Sequence, residues 1–347
     1  MANEKINANQ WLEKKLPLQD RLTKASTNLV EKILQEENIE YLSISGRTKN
    51  KDSAREKIRR KSYHDLESQL TDLSGVRIIV FFESQVQQVS EKLKEIFVID
   101  HKNSLDRDSV LGEDRIGYRS VHFVCMLGDI RKDLPEYASI TDLKVEIQVR
   151  TVLQHAWAEL AHDGSYKFSG ELPKKIKRQL NLYSGMLELV DQGFDDISKE
   201  IDTYKSEIDR TPISEIEELE IDSINVKKYI EELVKKNKIK TEIELGLIDT
   251  HIINELKRFG VKTIHDLSRI FSKELIELHN TSYSETTDAG LLRDAMIFND
   301  IDKYFEECWP ELKWTSMDIE TVSFISEKYG PDKVDEILDH QDIVLEP

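Results

Sequence analysis

Leu143-Lys144-Val145-Glu146-Ile147-Gln148-Val149-Arg150 alternates with a period of two. Successive side chains of an extended strand point to opposite faces. Val145, Ile147 and Val149 therefore share one side, and Glu146, Gln148 and Arg150 the other. One side is apolar enough to be core, while the other gathers a carboxylate, an amide and a guanidinium. Two stretches upstream behave alike. Gly75-Val76-Arg77-Ile78-Ile79-Val80-Phe81-Phe82 is rich in β-branched and aromatic residues and predicts a strand over 76–82. Tyr118 to Met126 predicts another, with Tyr118, Ser120 and His122 on one face and Val121, Phe123 and Cys125 on the opposite one.

Around these strands the apolar spacing turns helical. Leu12, Leu16, Leu22, Leu29, Ile33 and Leu34 predict a helix over 8–43. Ser53 or Asp52 is expected to cap a second that runs to about residue 70. Further helices are expected over 83–96, 151–167 and 173–208, the last carrying Leu180, Leu187, Leu189, Phe194 and Ile197. Trp157 and Tyr166 are expected in the core behind the sheet. Strands flanked by helices make residues 1–210 an α+β domain.

Thr211-Pro212 opens an acidic stretch, Glu215 to Glu220, that predicts a linker over 211–221. Residues 222–347 are expected to form an all-helical domain, with Phe305, Trp309, Trp314 and Phe324 in its core. Within it, Leu245 to Leu267 suggests a helix-hairpin-helix-like unit around Phe259-Gly260-Val261, weakly resembling the small helical domain that ends the RNA polymerase α subunit. No long-period repeat is present.

The 347 residues carry a net charge of −18, distributed as −3 over 1–210 and −15 over 211–347. The acidic half should repel nucleic acid and anionic lipid, so a protein partner is the better expectation for it. Cys125 and Cys308 lack zinc-site or disulfide-framework spacing, which points to a reducing cytoplasm. Neither a signal peptide nor a membrane span is expected.

One segment runs against the overall charge. Residues 46–61 hold eight Lys or Arg against Asp52 and Glu56. On a helix Ser53, Lys57 and Arg60 would form one face able to meet a triphosphate. Asp72, just ahead of the first strand, and Glu146 are the carboxylates that could converge on Mg²⁺, a hard cation that takes few protein ligands when it bridges nucleotide phosphates.

Taken in order, Gly46-Arg47-Thr48-Lys49, Asp72-Leu73-Ser74-Gly75-Val76-Arg77-Ile78-Ile79, Gly117-Tyr118-Arg119-Ser120-Val121-His122, Glu146-Ile147-Gln148-Val149-Arg150-Thr151 and His155-Ala156-Trp157-Ala158-Glu159 resemble the RelA/SpoT alarmone synthetase domain, over residues 20–205. The resemblance implies a nucleotidyltransferase-like mixed sheet. It also implies a Mg²⁺-dependent pyrophosphokinase that moves the β,γ-pyrophosphate of ATP to the ribose 3′-hydroxyl of GDP or GTP. By the same resemblance Asp72 and Glu146 hold the metal, and Glu146 takes the proton of the attacking hydroxyl. Arg47 and Arg77 stack on adenine, and Lys49, Ser53 and Lys57 meet the phosphates. Tyr118 stacks on the acceptor guanine, with Arg115, His122, Gln148 and Arg150 completing the acceptor side. Family members often assemble as homo-oligomers.

Two departures from the family pattern stand out. Glu113-Asp114-Arg115-Ile116 replaces a Lys-Pro-Asn type loop, and Ala161 precedes His162 where a Glu is common. The first admits a toxic relative that pyrophosphorylates the tRNA 3′ end and is neutralised by its own C-terminal domain. The second admits an inactive nucleotide sensor. The pairs His64-Asp65, His162-Asp163 and His265-Asp266 do not make an alarmone hydrolase, because the 45 residues ahead of Gly46 are expected to be too few for its helical domain.

Overall fold

The computed structural model describes residues 8–61, 63, 65–104, 120–131, 133–160, 173–239, 241–242, 248–281, 286–309 and 316–346. The N-terminal unit, Met1–Lys199, is built on a five-stranded mixed sheet. Its elements are α1 (Ala8–Glu36), β1 (Ser43–Thr48), α2 (Lys51–Lys61), α3 (Leu66–Gln69), β2 (Ser74–Val80), α4 (Glu83–Ile96), β3 (Phe97–Ile99), β4 (Val121–Leu127), β5 (Val145–Thr151), α5 (Val152–Ala158) and α6 (Lys174–Arg210). The strand order is β1-β2-β5-β4-β3, parallel only between β2 and β5.

The alternation of β5 sorts its residues as expected, with Val145, Ile147 and Val149 fully buried. Opposite them in register, Val76 and Ile78 of β2 and Val121 and Phe123 of β4 join the same apolar layer, covered by Leu22, Val30 and Leu34 of α1 and Val86, Val89 and Leu93 of α4. Burial of that layer fixes the register, because a slip of one residue would turn Glu146 and Gln148 into the core. Trp157 is half-buried and joins none of the three apolar clusters, contrary to expectation. Tyr166 and Trp314 lie outside the described residues.

The helix expected over 8–43 stops at Glu36. Asn38 adopts a left-handed backbone, φ 54°, and the Ile39 amide closes back on the Leu34 carbonyl at 2.9 Å, a C-terminal capping turn. The freed residues form β1, an edge strand whose Ser-Ile-Ser-Gly-Arg-Thr sequence sets two β-branched residues, Ile44 and Thr48, among small and polar ones and so carries a weaker strand signal than its neighbours. Gly46 is required there by close approach, since a Cβ would collide with Thr27 Oγ1 of α1. The next helix is capped by Asn50, whose Oδ1 accepts from the Ser53 amide at 2.8 Å, rather than by Asp52 or Ser53, and it ends at Lys61.

The second unit, Glu200–Pro347, is helical, with two short parallel strand pairs, Thr241–Glu242 against Thr286–Thr287 and Ser316–Asp318 against Val344–Glu346. The division between the units falls within α6. Val226, Ile230, Leu256, Leu267, Leu292 and Met296 are central to the core, and Phe305, Trp309 and Phe324 pack with them. Glu255, fully buried, accepts from Arg293 Nη2 at 2.9 Å and Nε at 3.1 Å and from the Tyr304 hydroxyl at 2.8 Å. Among residues 211–221, Ile213–Ile216 is helical and Ile216 and Ile221 are buried.

The hairpin between helices Thr250–Arg258 and Ile264–Ile270 turns on Gly260 at φ 94°. The Ile264 and His265 amides, which such a hairpin could offer to a phosphate, donate instead to the carbonyls of Leu219 (3.2 Å) and Glu217 (2.8 Å). Among the described residues no helix is long and apolar enough to cross a membrane.

Candidate functional site

The polar face of the sheet opens into a cavity of about 490 Å³. Its shape follows from register. Arg47 stands opposite Gly75, Gly75 beside Glu146, and Arg77 beside Gln148, so three neighbouring strands contribute side chains to one floor. The turn before β2 adds Asp72 and the first turn of α2 adds Ser53. Seven expected residues line the space: Arg47, Lys49, Ser53, Asp72, Arg77, Glu146 and Gln148. Three more are bonded to that lining: Lys57 to Asp72, His122 to Glu146, and Arg150 to Gln148. Arg115 and Tyr118 lie outside the described residues, as do the departures at 113–116 and Ala161.

At one end of the floor, Lys49 Nζ donates to Asp72 Oδ2 at 2.6 Å and Lys57 Nζ donates to the same oxygen. Asp72 Oδ1 is buried and has no partner among the described residues. Leaving a buried acceptor unmet costs about 1–3 kcal/mol, and more for a charged one. Burial pushes the Asp72 carboxyl up, but the two ammonium groups outweigh it and hold the group below the ordinary carboxylate range.

Next to it, Glu146 Oε1 takes His122 Nδ1 at 2.9 Å and Gln148 Nε2 at 3.3 Å. His122 Nε2 lies 2.6 Å from Ser120 Oγ. The tautomer with the proton on Nδ1 satisfies both contacts, the ring donating to Glu146 and accepting from Ser120. The hydrogen bond from His122 lowers the Glu146 carboxyl most, against burial and the repulsion of Asp72, and the net direction is down. Both acids are therefore ionised at neutral pH. Among the described residues both partners of Glu146 end on Oε1.

These groups suit a divalent cation. Mg²⁺ keeps waters and substrate oxygens and needs only one or two protein carboxylates. Asp72 Oδ1, unpartnered among the described residues, and a second carboxylate in the same cavity meet that need. No group of three or more His, Cys, Asp or Glu able to form an all-protein cage occurs among the described residues.

Arg77 Nη1 donates to Glu159 Oε1 at 3.0 Å, just past the end of α5. Sequence alone gives Glu159 no partner. It also missed Ser45, Gly75 and Val76 of the lining, because their place follows from β1 pairing with β2. The cap of α5, Thr151, donates its hydroxyl to the buried Asp191 of α6 at 2.7 Å, and Asp195 accepts from the Ser84 amide at 2.9 Å. A second cavity, of about 530 Å³, lies in the C-terminal unit against Ile213, Tyr229 and Leu233, with Glu232, Lys235 and Lys236 among its described lining residues.

Residues 46–171 match the family described as a region found in RelA/SpoT proteins. The chain is 32% identical over 172 residues to the GTP pyrophosphokinase YjbM of Bacillus subtilis (strain 168), covering 48% of this chain and 76% of that protein. It is 29% identical over 138 residues to the GTP pyrophosphokinase YwaC of the same organism, covering 40% and 62%. Among solved structures, the small alarmone synthetase 1 from Bacillus subtilis aligns with 56% of this chain and 99% of its own, at 28% identity and a TM-score of 0.46.

Proposed function

The chain belongs to the RelA/SpoT synthetase family, and on that footing we propose that it transfers the β,γ-pyrophosphate of ATP to the ribose 3′-hydroxyl of GDP or GTP, releasing AMP. The observation that carries this is the meeting, in one cavity, of two ionised carboxylates with the cations of Arg47, Lys49 and Arg77. A bond forms between O3′ and the β-phosphorus as the bond from that phosphorus to the α,β-bridging oxygen breaks.

Arg47 and Arg77 offer planar guanidinium faces for the adenine, and Lys49, Lys57 and Ser53 offer point donors to its phosphates. Lys49 and Lys57 share Asp72 Oδ2, so a phosphate chain entering the cavity exchanges one anionic partner for another. Asp72 and Glu146 would hold Mg²⁺, which supplies charge neutralisation on the phosphates. Glu146 accepts the proton of the attacking hydroxyl while His122, held by Ser120, keeps its carboxylate oriented. Gln148 and Arg150, with Tyr118 and Arg115, attend the acceptor. ATP and GDP as substrates and two unpaired cysteines suit a cytoplasmic setting. The acidic second unit, its hairpin amides already bonded, suits a protein partner better than nucleic acid.

The test follows radiolabelled γ-phosphate from ATP with the full chain and Mg²⁺, offering GDP, GTP and deacylated tRNA in parallel, with Glu146→Gln beside it. Label on a guanine nucleotide that disappears in the variant supports the proposal. Label on tRNA alone assigns the chain to the toxic branch. Nucleotide binding without any transfer makes it a sensor.

A further inference from the structure

The cavity in the C-terminal unit, of about 530 Å³, is slightly larger than the candidate site and falls within the roughly 300–1,000 Å³ usual for small-ligand pockets. Tyr229, Glu232, Leu233 and Lys236 stand at i, i+3, i+4 and i+7 on the helix Ser223–Asn237, so one face of that helix supplies a wall. Lys235 adjoins them, and Ile213 enters the lining from an earlier segment. Tyr229 is only 9% exposed, and its ring rests against that of Phe271, 6.0 Å between centroids. Its hydroxyl has no hydrogen-bond partner among the described residues. Burial pushes that hydroxyl up to about 12, so at neutral pH it is a donor in want of an acceptor.

The cations of the lining point the same way. Sequence spacing would pair Glu231 with Lys235 and Glu232 with Lys236, each four apart. Glu232 leans instead toward Lys228, whose Nζ lies 3.7 Å away and is buried against the carbonyls of Ile208, Asp209 and Thr211. Lys235 and Lys236 are exposed, and neither has an ion-pair partner among the described residues. Two unpaired ammonium groups thus rim an apolar cavity in the half of the chain that carries a net charge of −15.

We propose that this cavity binds an amphipathic anion, a small molecule whose apolar body lies among Ile213, Leu233 and the Tyr229 ring and whose carboxylate or phosphate head meets Lys235 and Lys236. A nucleotide suits it less well, because among the described lining residues only the Tyr229 hydroxyl and Glu232 can address the edge of a base. An uncharged lipid would leave both ammonium groups without a partner.

Calorimetric titration of the full chain, without nucleotide, tests this with decanoate and decyl phosphate as the two head groups and decanol as the uncharged control. At least one anion should bind at a single site, about tenfold or more tighter than decanol, and more weakly as salt is raised. Shortening that anion by two methylenes should weaken it roughly tenfold. Lys235→Gln with Lys236→Gln should bring the anion down to the level of decanol while thermal unfolding stays unchanged, both side chains being exposed. Leu233→Trp, which fills the cavity, should abolish binding. The proposal is overturned if neither anion saturates the chain below about 1 mM. It is equally overturned if decanol binds as tightly as the anions, if the lysine pair can be replaced without loss, or if a folded Leu233→Trp still binds.

Discussion

Asp72 in the N-terminal unit and Glu255 in the C-terminal unit are both carboxylates turned inward, and their environments differ in one respect. Glu255 is saturated: Arg293 grips both of its oxygens and Tyr304 adds a third donor. Asp72 receives two ammonium groups on a single oxygen, and its other oxygen is buried without a donor among the described residues. A saturated buried ion pair is a structural element whose cost and gain nearly cancel, and it becomes visible only when broken. An unsaturated one stores an unmet demand for positive charge, which is what a site for a cation and its phosphates has to keep. Asp288 in the C-terminal unit likewise has one oxygen unmet among the described residues while Lys227 bonds the other, so an incomplete acid marks the site only where, as at Asp72, it lines a cavity with a second carboxylate and several cations.

The largest effects should separate the two acids by readout. Asp72→Asn and Glu146→Gln should each lower pyrophosphate transfer by about 10²–10⁴-fold, the range expected for loss of a positioned acid or base, while lowering the urea midpoint at neutral pH far less than a break in the Glu255 pair does. Glu255→Ala should do the reverse. Removing one partner of the buried Glu255–Arg293 pair leaves an uncompensated charge and should cost about 3–5 kcal/mol, read as early unfolding of the C-terminal unit in urea. If Asp72→Asn unfolds the chain as readily as Glu255→Ala, the distinction collapses.

A Mg²⁺ titration by thermal unfolding with a non-hydrolysable ATP analogue sharpens the same contrast without requiring turnover. The wild type should gain stability as the ligand saturates, by mass action on the folded state. Asp72→Asn should gain less, and a variant of Glu255 that still folds, Glu255→Gln, should gain as much as the wild type. Equal shifts in all three proteins would remove Asp72 from the metal.

Two glycines extend the comparison to the faces of the sheet. Gly46 packs toward α1, where a Cβ collides with Thr27, whereas Gly75 faces the cavity and an added Cβ would sit 3.7 Å from the Arg47 carbonyl and 3.8 Å from that of Glu146, both ordinary contacts. Gly46→Val should therefore destabilise the fold by about 1–3 kcal/mol, as overpacking does. Gly75→Val should leave the unfolding curve nearly unmoved and raise KM for ATP about tenfold by filling the floor, a loss of about 1.4 kcal/mol of binding. An unchanged KM in Gly75→Val would mean that the nucleotide does not lie over β2.

Much of this site was legible because β-strand alternation is a local property. The pattern of residues 143–150 alone separates Glu146 and Gln148 from Val145 and Val149, and the same holds for His122 on β4. What alternation does not carry is register. The hydrogen bond from His122 to Glu146 depends on β4 pairing with β5 so that His122 faces Gln148, a relation set across twenty-odd residues of chain. β1 escaped for a different reason. Its small and polar residues have weak strand propensity, and it is held at the sheet edge by pairing with β2 and by Gly46 nestling under α1. The partner of Glu159 is invisible to local pattern because Arg77 is 82 positions away and lies on another element.

The smallest expected effect is on acid stability, and its sign follows from the two depressed carboxyls. A group whose folded pKa lies below its unfolded value binds protons more readily when the chain is unfolded, so its contribution is fully present above the unfolded value, about 3.9 for Asp and 4.3 for Glu. That contribution is lost as pH falls through the lowered folded value. Lys49 and Lys57 depress Asp72 and His122 depresses Glu146, so the N-terminal unit should lose stability as pH drops below about 4. Each unit of depression corresponds to about 1.4 kcal/mol. In Asp72→Asn one of these proton sites is gone, and the urea midpoint should fall less steeply between neutral pH and pH 3 than in the wild type. If the two slopes coincide, the ammonium groups do not hold Asp72 ionised, and the incomplete acid that defines the site is instead a neutral one.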